Sequence, residues 1–203
     1  MNEQRETKGQ RTARRIMDVA ENLFAAQGYD GTSLRQIASE AGIQEPGLYN
    51  HFDSKLALYE AILHRGLDPM LQALSRHLDQ AEDLRDYTDL PAVMTDLLLD
   101  HPQMASLFQQ AMQGDENSAG NQMVHAWLAE LFSKGVRTLG DATEGVDGDT
   151  LVINVIAMFN LTTGYFLSQR AFDMLADGSL RDPDNIARQK KLLRNVIRAM
   201  LIN

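Results

Sequence analysis

Apolar side chains recur at three- and four-residue spacing along almost the whole chain, and no run alternates convincingly at every second residue. The first spacing places apolar groups on one face of an α-helix, whereas alternation would be typical of a half-buried strand. Ile16, Ala20 and Leu23 begin the first such row, and Gly28 ends it because glycine readily adopts the left-handed conformation that terminates helices. The pattern therefore predicts an all-α fold.

Two short helices follow the first, and a glycine separates them. Ser33 stands three residues before Gln36, a spacing typical of a helix N-terminus, and Gly42 ends the second helix. Pro46 fits the first turn of a third helix, where its missing N–H costs nothing. Such a pair is the geometry of a helix-turn-helix, whose second helix enters the DNA major groove. The spacing also occurs in all-α proteins that do not bind DNA, so the pattern alone leaves both readings open.

Six further helical segments are predicted downstream, separated by polar loops that contain glycine. They cover about residues 54–78, 90–100, 102–113, 121–140, 150–176 and 183–202. The length of 203 residues suits one compact body with a small appendage. We therefore predict a three-helix helix-turn-helix domain over residues 1–53 and a helical-bundle domain over residues 54–203.

The acidic residues are concentrated downstream of the helix-turn-helix. The formal net charge is −9, but residues 1–66 contain 8 Lys/Arg against 9 Asp/Glu, and residues 67–203 contain 11 against 19. Before the first apolar row, Glu3 and Glu6 oppose five cations, which are Arg5, Lys8, Arg11, Arg14 and Arg15. This basic arm suits DNA phosphates, and the alternative is a solvated, partly frayed terminus.

The residue inventory excludes several kinds of site. With no cysteine, the chain has neither a disulfide nor a thiolate metal site, which fits a reducing compartment. The histidines show no metal-ligand spacing, and there is no nucleophile motif or phosphate loop, so we predict no metal, no cofactor and no enzymatic activity. The N-terminus lacks the apolar core of a secretion signal, and the uncharged stretch 150–169 contains Asn154 and Asn160. We therefore predict a cytoplasmic protein that does not enter a membrane.

Residues 21–63, ENLFAAQGYDGTSLRQIASEAGIQEPGLYNHFDSKLALYEAIL, resemble the signature of the TetR family of transcriptional regulators. The matching positions are Phe24, Gly28, Thr32, Ile37, Ala38, Gly42, Leu48, Tyr49, Phe52, Lys55 and Leu58. The rest of the chain matches only in its helical layout. The resemblance implies a homodimer that binds double-stranded operator DNA, usually as a repressor, and that responds to a small-molecule effector held in the second domain.

The resemblance also implies which residues contact DNA. It places Thr32 and Arg35 near phosphates at the start of the second helix, and it makes the third helix the recognition helix. The predicted DNA-binding residues are Thr32, Ser33, Arg35, Gln44, Glu45, Gly47, Tyr49, Asn50, His51 and Lys55. The chemistry agrees, because the amides of Gln44 and Asn50 suit adenine, and Lys55 can donate to phosphate oxygens, as can Tyr49 and His51. Gly47 would let the helix backbone approach DNA closely.

Gln44 and Glu45 depart from the family pattern, because many relatives carry Ser-Lys or Ser-Arg at these positions. Glu45 either complements the dipole of its own helix and points to solvent, the reading we favour, or accepts a hydrogen bond from a cytosine amino group. In both cases we expect DNA affinity to depend more heavily on Lys55, Arg35 and the basic arm.

Small residues recur every seven positions along the predicted helix 150–176, beside a row of larger ones. Small residues in a row let helices approach closely, so this face is either the dimer interface, as the resemblance implies, or packing within one chain. The final helix carries a matching apolar row. The predicted interface residues are Ala157, Leu161, Gly164, Ser168, Ala171, Leu193, Ile197 and Met200.

Methionine and aromatic residues accumulate between the two regions, where adaptable side chains would suit a pocket for an apolar or aromatic molecule. Such a stretch is also typical of ordinary core. The predicted ligand-binding residues are Met94, Leu98, Met104, Phe108, Met112, Met123, Trp127, Asn160 and Thr163. Asn160 and Thr163 would orient a polar end of the ligand.

The sequence thus favours a regulator in which the ligand selects a conformer whose recognition helices no longer fit successive major grooves. The helix from Ser54 towards Leu78 would transmit that change. One alternative is a DNA-binding protein without an inducer, and a cavity of about 300 Å³ or more would argue against it. The other is a small helical enzyme or carrier, for which the chain offers no catalytic motif.

Overall fold

The computed structural model describes residues 7–80, 88–142 and 145–202, and every regular element within these ranges is helical. The helices are α1 (Lys8–Gly31), α2 (Leu34–Glu40), α3 (Glu45–Leu48), α4 (Lys55–Asp79), α5 (Leu90–Asp100), α6 (Met104–Gln113), α7 (Ala119–Ala142), α8 (Gly148–Leu167), α9 (Gln169–Asp173) and α10 (Pro183–Ile202). The all-α prediction is confirmed for these residues. Arg5 of the predicted basic arm lies outside them.

The chain forms two compact units. The first combines Met1–Gly66 with Ser106–His125, and the second combines Leu67–Ala105 with Ala126–Asn203. The first unit therefore contains a segment from the middle of the chain as well as the helix-turn-helix. The predicted functional boundary between residues 53 and 54 stays a prediction.

The first unit is built around the apolar face of α1. Ile16 and Phe24 are fully buried in its core, as are Ile37 of α2, Leu48 of α3 and Leu58 of α4. The buried residues of α1 belong to the apolar row predicted from the three- and four-residue spacing. Helices α2, α3 and α4 each add a fully buried residue to the same core. Packing of these side chains holds the short helices α2 and α3, which are too short to be stable by themselves.

An ion-pair network joins α4 to α1 inside the first unit. The Arg65 guanidinium donates from Nη1 to Asp18 Oδ1 at 2.6 Å and from Nη2 to Glu21 Oε2. Glu21 and Arg65 are both largely shielded from solvent, with side-chain exposures of 13% and 29%. Shielding strengthens such a pair relative to an exposed one, so the network holds the middle of α4 on α1.

The second unit is a helical bundle in which α5, α8 and α10 pack against one another. Leu139 of α7 and Leu151 and Val155 of α8 form one buried cluster. Two ion pairs join α10 to the start of the bundle, from Lys190 to Asp96 and from Arg194 to Asp89.

The helix predicted over residues 150–176 ends early, at Leu167, and the short helix α9 follows. Ser168 leaves the helical conformation, with φ −99° and ψ 13°. Its hydroxyl donates to the backbone oxygen of Gly164 at 2.7 Å, and serine bonds of this kind compete with the helical backbone. The Tyr165 hydroxyl donates to Leu180 O at 2.6 Å, so the chain after the break folds back onto α8.

Helix α8 has an unusual balance of apolar composition and exposure. Among the described helices, α8 is the one that is both long enough and apolar enough to cross a membrane. Its most apolar window has a mean hydropathy of 1.5. Only 17% of that window is buried within the chain. Much of its apolar surface is therefore available to a partner.

Candidate functional site

A tight turn connects α2 to α3. Ser33 caps α2, because its hydroxyl oxygen accepts a hydrogen bond from the Gln36 N–H at 3.2 Å, as predicted. Gly42 adopts a left-handed φ of 66°, and the Ile43 N–H donates to Ala38 O at 3.0 Å, which closes the end of the helix. A residue with a Cβ would be strained at Gly42, so the turn depends on that glycine.

The recognition segment is shorter as a helix than predicted. Helix α3 ends at Leu48, and the His51 and Phe52 N–H groups both donate to Leu48 O, at 2.9 and 3.1 Å. Tyr49, Asn50 and His51 therefore lie in the turn after α3, which corrects the prediction that a longer helix carries them. A carbonyl shared in this way is typical of the tightened last turn of a helix.

The side chains predicted to read bases are exposed. Gln44 and Asn50 are open to solvent, and half of Tyr49 is exposed. Within the described residues, none of these three side chains makes a hydrogen bond, so their donors and acceptors are available to a partner. A Cβ placed on Gly47 would meet no atom within 4 Å, so the close approach predicted at Gly47 is sterically open. Glu45 lies in the first turn of α3, where a carboxylate complements the helix dipole.

Thr32 has a structural position that differs from its predicted phosphate contact. It is 2% exposed, and its hydroxyl donates to Gly28 O at 2.8 Å. Its backbone N–H donates to Tyr29 O at 3.3 Å. Both donors are therefore bonded to the end of α1, for which Thr32 is the C-cap residue. Ser33, next along the chain, is exposed and keeps a hydroxyl proton to donate.

Two cations flank the recognition segment. Arg35 is exposed on α2, and Lys55 is half-buried at the start of α4. The Lys55 ammonium lies 4.3 Å from the centroid of the Tyr29 ring, the geometry of a cation–π contact. The pKa of Lys55 lies below its usual value, because partial burial outweighs the opposing effect of the Asp30 charge.

Tyr29 was not among the residues predicted from the sequence. Its ring lies 5.9 Å from the Phe24 ring and 5.1 Å from the Tyr59 ring, measured between centroids. Gly120 of α7 packs directly on it, and a Cβ there would lie 2.7 Å from Tyr29 Cβ. No local pattern could reveal this contact, because its two members lie far apart in the sequence.

The basic residues before the first apolar row are helical, beginning at Lys8. Thr7 caps α1 through a reciprocal pair of hydrogen bonds with Gln10, at 2.8 and 3.2 Å. Lys8, Arg11 and Arg15 are exposed, and their spacing of three and seven residues places them on one side of the helix. The described part of the basic arm is thus an ordered, positively charged helix start.

An apolar cavity of about 80 Å³ lies within the second unit. Four helices supply its walls, with Leu74, Leu90, Pro91, Met94, Leu131, Phe132, Gly135, Thr138, Leu139, Val155, Met158, Phe159, Thr162 and Thr163. None of the described residues that line it is charged. Ligand pockets commonly measure about 300–1,000 Å³, so the cavity is small for a ligand site and would have to widen around a larger molecule.

Only Met94 and Thr163 of the predicted ligand-binding residues line this cavity. Leu98, Met104 and Phe108 are packed in the core, each at most 1% exposed, whereas Met112 is 55% exposed. Met123 and Trp127 are half-buried on α7 but lie outside the lining, and Asn160 is on the exposed face of α8. The Thr163 hydroxyl donates to Phe159 O at 2.8 Å, so its proton is already used within its own helix.

The exposed face of α8 contains part of the predicted dimer interface. Ala157, Leu161 and Gly164 lie on it with Ile153, which is 66% exposed, and Ile156, which is 43% exposed.

The other five predicted interface residues lie elsewhere. Leu193 and Ile197 are each 1% exposed, so they pack inside their own chain. Ser168 and Ala171 follow the end of α8 and do not continue its row. Met200, on α10, is half-buried.

Comparison with known proteins supports the family resemblance of the helix-turn-helix in the first unit. Residues 16–62 match the family model described as bacterial regulatory proteins, tetR family, which confirms the resemblance over that range. The transcriptional activator FasR of Mycolicibacterium smegmatis is 36% identical over 70 residues, which cover 34% of this chain and 32% of FasR. The negative regulator IcaR of Staphylococcus aureus is 50% identical over 46 residues, covering 23% of this chain and 25% of IcaR. The similarity thus spans about a third or less of these relatives.

Two solved structures are similar over nearly the whole chain. A TetR-like transcriptional regulator from Rhodococcus sp. RHA1 has a TM-score of 0.70 and 20% identity, covering 98% of this chain and all of that one. FadR of Bacillus subtilis, solved in complex with stearoyl-CoA, has a TM-score of 0.64 and 16% identity, covering 93% and 97%. At these identities the likeness shows a shared fold. All four proteins are described as regulators.

Proposed function

We propose that the chain is a homodimeric transcriptional regulator, on the basis of the match of residues 16–62 to the model of the tetR family of bacterial regulatory proteins. It binds a palindromic operator through the two helix-turn-helix segments of the dimer. A small apolar or aromatic molecule in the second unit releases it. Because its target is DNA and its effector a small molecule, it acts in the cytoplasm.

The observation that carries the DNA-binding proposal is the chemistry of the segment Gln44–His51. Its amides point to solvent and have no internal partner within the described residues, while Gly47 leaves the backbone open. Arg35 precedes this segment in the sequence and Lys55 follows it. Cations that can contact phosphates therefore flank the side chains that can contact bases. The side chains that could bind a DNA duplex are thus exposed and make no hydrogen bond with any described residue.

The exposed face of α8 supports the proposed dimer. Isolated apolar side chains are common on protein surfaces, but Ile153, Ile156 and Leu161 form a row together with the small residues Ala157 and Gly164. A second copy of the same face would bury this row, and the small residues would let the two helices approach closely. Each protomer would then present its recognition segment to one half-site.

The proposed role of the ligand rests on a protein of similar fold, whereas the relatives differ in the sign of regulation. IcaR is a negative regulator and FasR an activator, and FadR was solved with a bound ligand. We propose repression that ends when a ligand in the apolar cavity favours a conformer unsuited to DNA, with α4 transmitting the change. The ligand must bind the two conformers with different affinity, because equal affinity would shift nothing.

A second candidate function is DNA binding without an inducer. The small volume of the cavity favours it, because about 80 Å³ is well below the usual size of a ligand pocket. Addition of candidate ligands to the protein–operator complex separates the two candidates. Release of DNA supports the ligand-responsive regulator, and no release by any apolar or aromatic compound supports the second candidate.

Selection of bound sequences from a random DNA pool, at defined salt, tests the DNA-binding proposal. We expect a palindrome with half-sites about one helical turn, or a multiple of it, apart. Failure to enrich any sequence, with protein shown to be folded and dimeric, would overturn operator binding. The function would then have to be sought in the helical bundle.

A further inference from the structure

Polar residues flank one edge of the apolar cavity, where α7 meets α4; Lys134 and Ser75 are neighbours of lining residues and are not themselves part of the lining. On α7, Leu131 and Thr138 line the cavity, and Lys134 lies between them, three residues from one and four from the other. This spacing places Lys134 on the same side of the helix as the lining residues. On α4, Ser75 directly follows Leu74, which also lines the cavity.

Lys134 and Ser75 are bonded to each other. The ammonium donates to Ser75 Oγ at 2.6 Å, in a partly buried position. Among the described residues this hydroxyl is the one polar partner of Lys134, and no carboxylate pairs with it. A partly buried cation whose only partner is neutral is incompletely compensated for the water that it has lost. An anion at this edge would supply the missing charge.

Thr138 contributes a further polar group at the same edge. Its hydroxyl makes no hydrogen bond with any residue in the described parts of the chain, although the residue lines the cavity. By contrast, the hydroxyls of Thr162 and Thr163 donate to oxygens of their own helix, at 2.8 Å each. The groups free to bind a polar ligand atom are therefore gathered near Lys134, and the remaining walls are apolar.

We propose that the cavity binds a small apolar carboxylic acid, with its chain in the cavity and its ionised carboxylate at Lys134. The carboxylate accepts hydrogen bonds from Lys134 Nζ, and the Ser75 and Thr138 hydroxyls can donate to its second oxygen. This inference rests on the proposed ligand-responsive function and names the chemical class of the ligand. Because a water molecule occupies about 30 Å³ of liquid, the cavity has room for about three heavy atoms before it widens. Met94 and Met158 are unbranched and can move to admit a longer chain.

The test compares hexanoate with 1-hexanol, which has the same chain without the charge. Binding to the full-length protein is measured by calorimetry in the absence of DNA. We expect hexanoate to bind at least about tenfold more tightly, the usual worth of a hydrogen bond to a charged group. Lys134→Gln should reduce the two affinities to similar values, and Lys134→Arg, which keeps the charge, should retain the preference. Lys191→Gln is the matched control, because Lys191 is exposed on α10 and outside the cavity.

Three outcomes would overturn the proposal. The first is equal affinity for hexanoate and hexanol, and the second is a preference that survives Lys134→Gln. The third is binding of neither compound to folded wild-type protein. If hexanoate binds with the expected preference but does not release operator DNA, the carboxylate site stands and the proposed ligand-driven release fails. DNA selection tests operator binding separately, so the failures of the two proposals are distinguishable.

Discussion

A single methyl group added at Gly120 should disturb the first unit from outside the helix-turn-helix. In Gly120→Ala the new Cβ would lie 2.7 Å from Tyr29 Cβ and 2.8 Å from Tyr29 Cδ2, with Tyr29 Cγ closer still. Real Cβ atoms do not approach other carbon atoms so closely. The tyrosine ring has little room to retreat, because Phe24 and Tyr59 pack against it.

Two effects of opposite sign decide the change in stability. Alanine in place of glycine favours a helix by at most about 1 kcal/mol, and by less near a helix start. An extra carbon forced into a packed site typically costs about 1–3 kcal/mol. Because the overlap involves the rigid Cβ of Tyr29 as well as its ring, we expect the second effect to win. Gly120→Ala should lower the free energy of unfolding by about 1–2 kcal/mol.

Urea unfolding at one fixed protein concentration measures this difference, since the stability of the proposed dimer would depend on concentration. Gly148→Ala is the matched control, because Gly148 also lies at a helix start and a Cβ there meets nothing within 4 Å. That variant should be as stable as the wild type or slightly more so. A Gly120→Ala variant as stable as the control would refute the claimed packing of α7 on Tyr29. The same variant should weaken operator binding, because displacement of the Tyr29 ring removes the support of Lys55.

Three further predictions concern the proposed interfaces. Lys55→Ala should weaken binding to all DNA sequences and reduce the slope of log affinity against log salt by about 1, as loss of one phosphate contact requires; an unchanged slope in a salt titration would contradict this. Asn50→Ala should alter the preference among single-base operator variants by about 1–3 kcal/mol at one base pair, and unchanged relative affinities would exclude direct readout by Asn50. Ile153→Asp should convert the dimer to monomers in analytical ultracentrifugation, because it places a charge in an apolar interface. The matched change Arg181→Asp, at an exposed site outside α8, should leave the dimer intact.

The helix-turn-helix could be predicted because its determinants are local. Ser33 caps α2 through a residue three positions away, and Gly42 supplies the left-handed turn that follows. Each signal acts within one helical turn and so appears directly in the sequence. The length of α3 could not be predicted in the same way, because the residues after Leu48 have no strong helix-breaking character.

The cavity and part of the interface were harder to predict, since the apolar rows do not reveal which partner covers each face. Met104 and Phe108 have the composition of a pocket wall, yet they are packed solidly in the core. Leu193 and Ile197 continue an apolar row as predicted, but their own chain already buries it. Tertiary packing decides these cases, and an amphipathic pattern is the same whether the covering helix belongs to one chain or to two.

The recognition segment Gln44–His51 contains no lysine or arginine, and Glu45 adds a negative charge to it. Under the proposed function, attraction to DNA phosphates must therefore come from residues outside the segment. Arg35, Lys55 and the exposed cations of α1 are the candidates, and all belong to helices packed around the same core. Counterion release by these residues would supply affinity, while the neutral amides of Gln44 and Asn50 would supply discrimination. A chain with a net charge of −9 can bind DNA in this way because its acidic excess lies mainly in residues 67–203.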